Sequence, residues 1–202
     1  SEKIGDYTNL NLIERMDDPR MVELRSWVDP YSYRARYTLP KLLLLGTNDP
    51  YWTVDSLRHY WGDLPEPKLV FQTPNAGHDL AGGKDATQTM AAFFQMIADH
   101  EELPKVTWTR SAKEGAALEM SVTPAAKTFR LWTADSPDRD LRNDRWSSVE
   151  VPSNPGRKAS ATIERPAQGY RAYLMEAEFA TKAGHTYKLS TEARVLPDSS
   201  PK

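Results

Sequence analysis

The sequence predicts an α/β unit followed by an all-β sandwich, and three observations carry that expectation. Two apolar runs, Leu42-Leu43-Leu44-Leu45 and Leu69-Val70-Phe71, are unbroken rather than alternating, as parallel strands covered on both faces are. Segments of helical spacing separate and follow them. Beyond a linker at Glu101-Glu102-Leu103-Pro104-Lys105 the apolar period changes from 3.6 to 2. The chain of 202 residues therefore divides into a first unit at 1–102 and a second at 105–202.

Residues 1–38 read as a helical excursion. Leu10, Leu12, Ile13 and Met16 fall near helical spacing, and Asp17-Asp18-Pro19 fits the start of a second helix carrying Met21, Val22, Leu24 and Trp27. Asp29-Pro30 ends it. The excursion is either a lid or an ordinary crossover connection. Residues 41–83 hold two strand-and-loop units. The first strand, 41–45, runs into Gly46-Thr47-Asn48-Asp49-Pro50, and Thr53 is the expected N-cap of a helix over 54–61 with Asp55 in its first turn. The second strand, 68–72, runs into Pro74-Asn75-Ala76-Gly77-His78. A last helix is expected over 84–100, with Met90, Phe93, Phe94 and Ile97 as its apolar stripe. Two strands and two helices cannot enclose a core, so the unit is expected to belong to a larger sheet. Strand-like runs at 106–110, 118–122, 128–133, 146–151, 159–164, 170–179 and 186–195, separated by Pro, Gly, Asn and Asp, predict a sandwich of the fibronectin III or immunoglobulin type. Only Pro197 onward resembles a frayed tail.

Composition narrows the function. A net charge of −2 gives no electrostatic footprint for nucleic acid or an anionic membrane. No apolar run approaches the roughly 20 residues of a membrane span. With no cysteine, a disulfide scaffold, a Cys-ligated metal and a Cys nucleophile are excluded. The Gly77–Asp85 segment fails the P-loop pattern, with His at 78 and Asp at 85. Asp135, Asp138, Asp140 and Asp144 lack the Gly and Glu of a calcium loop and are interleaved with Arg139, Arg142 and Arg145, which reads as a solvated, salt-bridged loop. His59, His100 and His185 have no metal partner at ligand spacing. No cofactor and no metal are expected. The first residue is serine rather than methionine, which fits a processing or expression boundary at which a targeting segment could have been lost.

The chemistry sits at the two strand ends. Ligands and reacting groups gather at the carboxyl ends of open α/β sheets, and the successive loops deliver Asp49 and then His78. That order is the second half of a Ser…Asp…His hydrolase triad, in which Asp49 orients His78 and His78 is the general base. Asp-Pro is also a common turn device, and Gly-His can be plain loop; it is their joint placement that favours catalysis. Asn48, Tyr51 and Trp52 would form the pocket wall or hold the Asp loop. Asn75 and Gly77 would shape the His loop, Gly77 by permitting a backbone that a Cβ forbids. Both triad candidates precede the linker, so their geometry is expected to be independent of residues 105–202. No Gly-x-Ser-x-Gly variant occurs, and neither Ser32 nor Ser56 sits in a strand-to-helix elbow, so no nucleophile is expected in this chain.

Gly46-Thr47-Asn48-Asp49-Pro50-Tyr51-Trp52 and Pro74-Asn75-Ala76-Gly77-His78, with Asp29-Pro30-Tyr31-Ser32-Tyr33-Arg34 upstream, resemble the PhoPQ-activated pathogenicity-related family of bacteria and some protists. The similarity runs from about Gly5 to beyond Val195 and corresponds to the C-terminal part of a longer sequence. The resemblance implies the C-terminal part of an α/β-hydrolase sheet, followed by the sandwich. It implies Asp49 and His78 as triad acid and base, with a serine upstream of Ser1 in a Gly-x-Ser-x-Arg-Gly-like elbow. The partner would be the missing N-terminal part of the hydrolase domain, and the substrate a small-molecule or peptide ester or amide. The chain alone would be inactive, and the location periplasmic, cell-surface or secreted. The alternative is a non-catalytic protein whose hydrolase frame is degenerate and whose sandwich binds a partner or a surface glycan.

Overall fold

The computed structural model describes residues 4–111 and 116–197. Positions 1–3 of the N-terminal excursion and 198–202 of the expected tail lie outside the described residues. Helix α1 (Gly5–Asn9) is short, and α2 (Pro19–Val28) begins as its sequence dictates: Pro19 takes the first turn and the Asp18 side chain accepts the Arg20 N–H at 2.9 Å. Neither helix has a buried residue. Leu10, Ile13, Leu24 and Trp27 all lie exposed. Residues 10–17 form turns instead of continuing α1, because apolar periodicity with nothing to pack against does not hold a short helix in water.

Strands β1 (Lys41–Gly46) and β2 (Lys68–Thr73) pair in parallel, from Lys41 opposite Lys68 to Gly46 opposite Thr73. The helix expected over 54–61 is replaced by two 3-10 turns, Ser56–His59 and Trp61–Asp63. The Val54 carbonyl, which would accept an early bond of that helix, accepts the Gln72 Nε2–H at 2.9 Å, and the Arg58 N–H turns to the Asp55 carbonyl at 3.2 Å. A tertiary bond has displaced a local one. Helix α3 (Lys84–Ala98) buries Ala86, Thr89, Ala92, Phe93 and Met96. Of the expected stripe only Phe93 is buried, while Met90, Phe94 and Ile97 face out.

Nine strands follow: β3 (Lys105–Ser111), β4 (Ala116–Thr123), β5 (Thr128–Ser136), β6 (Ser147–Glu150), β7 (Ser153–Asn154), β8 (Lys158–Ile163), β9 (Tyr170–Ala180), β10 (Thr186–Ser190) and β11 (Arg194–Leu196). They form two antiparallel sheets, β3-β4-β8-β7 and β10-β9-β5-β6, with β11 also on β9. The run expected over 186–195 is thus two strands. The break falls where Thr191 leaves the ladder; its N–H donates to the Met175 carbonyl at 2.9 Å and its hydroxyl accepts the Met175 N–H at 3.1 Å. Leu118, Met120 and Ile163 from one sheet share a core with Phe129, Met175 and Phe179 from the other, so the sheets face each other as a sandwich. Strand β9 is buried on both faces. Tyr173, Met175, Ala177 and Phe179 join that core, whereas Ala172 and Leu174 join a second cluster with Val54, Leu141 and Trp146.

This arrangement corrects the expected fold class. Among the described residues only β1 and β2 pair in parallel, so no α/β-hydrolase sheet is formed, and antiparallel sheets dominate. An unbroken apolar run requires cover on both faces, and that cover need not be parallel strands. Here α3 and β10 pack against β2, and Leu69, Phe93 and Met96 belong to the same core as the sandwich. The buried Gln72 seals the junction: its N–H donates to Ser190 Oγ at 3.0 Å and its Oε1 accepts the Ala193 N–H.

Candidate functional site

Because β1 and β2 are parallel and in register, Gly46 and Thr73 end abreast and both following loops leave from the same end of the pair. The loops are stitched by backbone bonds, Thr47 N–H to the Thr73 carbonyl at 3.1 Å and Asn48 N–H to the Ala76 carbonyl at 2.9 Å. This close approach is possible because residue 46 is glycine: a Cβ there would collide with the Gly77 and Ala76 carbonyl oxygens. At Gly77, where the sequence suggested a steric need, a Cβ would meet only the Asp79 side chain at an ordinary 3.6 Å. The glycine that the geometry requires is Gly46.

Asp49 is buried and uses its two oxygens differently. Oδ1 accepts the N–H groups of Tyr51 at 2.7 Å and Trp52 at 3.3 Å, and Oδ2 lies 2.8 Å from His78 Nδ1. The turn role and the histidine role are therefore both present, one on each oxygen. With Asp49 as an acceptor-only carboxylate, Nδ1 of the neutral ring carries the hydrogen and Nε2 keeps its lone pair. Nε2 makes no hydrogen bond to any described residue, and the His78 side chain is 62% exposed. The Tyr51 ring lies against the imidazole with centroids 4.7 Å apart at 53°. Trp52 stands exposed beside a groove of about 760 Å³ that it lines with Tyr31, Tyr37, Leu43, Leu45 and Tyr60. A smaller cleft of about 270 Å³ lies between Asp49 and the segment 138–142.

That segment belongs to the loop between β5 and β6, and it is docked on the site rather than solvated. Asn48 Nδ2 donates to the carbonyls of Leu141, Arg142 and Asp144 at 2.9, 3.1 and 2.8 Å. Asn75 makes a two-way pair with the Trp146 backbone, Nδ2 to its carbonyl at 3.0 Å and Oδ1 from its N–H at 2.7 Å. Arg139 reaches the buried Asp55 carboxylate at 2.7 Å. At the loop's outer side the Arg142 guanidinium hydrogen-bonds Asp140 and holds that carboxyl below the usual range. Although Asp49 and His78 both precede the linker, the loops that carry them are thus hydrogen-bonded directly to residues of 105–202. Thr47, Asp55, Arg139 and Trp146 were missed as contributors. The asparagine bonds to the loop span 71 to 96 positions and the Asp55–Arg139 pair 84, so no local pattern carries their signal; Thr47 bonds the adjacent Asn48 and Asn75, 28 positions on.

Among the described residues no group of three or more His, Asp or Glu side chains is placed to hold a metal, and no helix is long and apolar enough to cross a membrane. Ser32 Oγ donates to the Arg25 carbonyl at 3.3 Å, and Ser56 lies in the first 3-10 turn; neither hydrogen-bonds to His78. The site is an imidazole held by a carboxylate at Nδ1, with an exposed side chain and no described hydrogen-bond partner at Nε2.

Comparison with known proteins places this geometry in context. Residues 1–142 match the family described as PhoPQ-activated pathogenicity-related protein. The match ends at Arg142, inside the loop that holds Asn48 and short of the extent expected from the sequence. The chain is also 26% identical over 228 residues to autocrine proliferation repressor protein A of Dictyostelium discoideum, covering 98% of this chain and 46% of that protein. It therefore spans less than half the length of that relative.

Proposed function

The chain belongs to the PhoPQ-activated pathogenicity-related protein family, and from that premise we propose that it supplies the acid and the base of a serine-type hydrolase. His78 Nε2 takes the proton of a serine hydroxyl as that oxygen attacks the carbonyl carbon of a small-molecule or peptide ester or amide. It then returns the proton to the leaving group, and a water repeats the sequence to release the acyl group. Asp49 holds the Nδ1–H tautomer throughout and stabilises the imidazolium. The nucleophile comes from residues outside these 202, and the oxyanion donors with it. The observation that carries this reading is the 2.8 Å Asp49–His78 contact, with Nε2 bonded to no described residue. Family membership supports an exported location, periplasmic, cell-surface or secreted.

The full-length protein is expected to label with a fluorophosphonate probe and to turn over nitrophenyl esters. Asp49→Asn should lower kcat by roughly 10,000-fold through the wrong tautomer. Esterase activity unchanged by His78→Ala would sink the assignment. Turnover by the 202-residue chain alone that needs His78 would place the nucleophile inside it. A second reading draws on the name of the Dictyostelium relative, which describes an autocrine repressor of proliferation. On that reading the protein is non-catalytic and its sandwich binds a partner or a surface glycan. Absence of probe labelling in a folded full-length protein is its expected result.

A further inference from the structure

We propose that the loop 141–146 of the sandwich is a working part of the site, and that Asn48 and Asn75 are positioning residues through which it sets the placement of Asp49 against His78. The inference rests on the hydrolase reading for its catalytic consequence, but the geometry stands without it. Asn48 immediately precedes Asp49, and its amide is saturated by three converging carbonyls of residues 141, 142 and 144. Its Oδ1 accepts the Thr47 hydroxyl at 2.7 Å, and Thr47 Oγ1 in turn accepts the Asn75 N–H at 3.0 Å. Asn75 returns to the same loop through both atoms of its amide. One hydrogen-bonded circuit thus runs from the sandwich to the Asp loop, across Thr47 to the His loop, and back to the sandwich.

The residue types fit that task and little else. Three carbonyls can be met only by a donor; an aspartate at 48 would face them with a second negative group. Asn75 must also accept φ of +56°, which asparagine tolerates better than most residues. Each asparagine is within three positions of the group it would place, so movement of the loop translates directly into the Asp49–His78 separation. A misplacement of about 1 Å is enough to cost roughly 100-fold in rate.

The test uses the full-length protein with Asn48→Asp and Asn75→Asp, and reads the His78 tautomer from imidazole ¹⁵N shifts beside ester turnover. Folded variants should lose the parent's dominant Nδ1–H tautomer, and kcat should fall roughly 100-fold with KM little changed. A purely structural role would lower stability and leave the tautomer of the folded molecule alone. If Asn48→Asp does not fold, Thr47→Val, nearly isosteric, breaks the same circuit at its middle. Variants that fold and keep the parent tautomer overturn the inference. A parent that hydrolyses no ester counts against the hydrolase reading only, since the tautomer still reports the coupling.

Discussion

Strands β1 and β2 are six residues each, lie side by side in register, and lead into the two loops that meet at Asp49 and His78. They are nevertheless held in different ways. In β2 every residue after Lys68 is buried, whereas in β1 Lys41 to Leu45 are all only partly covered. The difference lies in what each strand is packed against. β2 meets α3 and β10 and sends the Gln72 side chain into the sandwich. β1 has β2 on one edge, and Leu43 and Leu45 line an open groove. Two similar apolar sequences thus acquire different burial because one lies under a sandwich. The acid, on the looser strand, gains its fixity from its loop: Tyr51 and Trp52 hold Oδ1, and Asn48 is held by the sandwich.

The contrast can be broken first at one rung of the ladder, where Leu44 lies opposite Phe71. Phe71 is fully buried, so Phe71→Ala should destabilise by about 3–5 kcal/mol. Leu44→Ala, at a half-covered site, should cost about 1 kcal/mol. Urea unfolding of the two variants measures the gap, and equal losses would mean that β1 is covered as well as β2. The next probe compares the two glycines of the loops. Gly46→Ala must push the Ala76 and Gly77 carbonyls away, at about 1–3 kcal/mol, and should lengthen the Asp49–His78 contact. Gly77→Ala should stay within about 0.5 kcal/mol. The reverse ranking would show that the loops approach differently.

The smallest effect lies in the layer over β2. Glu176 is opposite Ser190, the residue that accepts the Gln72 N–H, and burial pushes its carboxyl above the ordinary value near 4.5, with Lys188 only partly offsetting this. Its contribution to stability is therefore full below about 4.5 and is lost as pH rises through the raised folded value. Glu176→Gln should stabilise the protein at neutral pH by less than about 1 kcal/mol, with the gain vanishing as pH falls below the ordinary glutamate range. A gain that is constant with pH, in thermal melts across that range, would contradict the burial argument.

What the sequence determined by itself was local. The apolar runs marked β1 and β2 because consecutive Leu and Val side chains need cover on two faces. Asp18-Pro19 started α2 because a carboxylate caps a helix and proline lacks the donor that the first turn would leave unpaired. Asp49 and His78 were visible at the ends of successive strands, since a strand and its loop are contiguous in the chain. Tertiary structure decided the rest. The chain of unbroken strands suggested a parallel sheet, but a run of leucines specifies that it must be covered and not by what. Val54 to Trp61 had helical character until Gln72, from another strand, took the Val54 carbonyl. The arginines and aspartates of 135–145 looked solvated because charge alternation carries no information about a partner such as Asp55, 84 positions earlier. The bonds that tie the acid and base loops to the sandwich join groups that only folding brings together, and they end on backbone carbonyls and an N–H, which no sequence pattern marks.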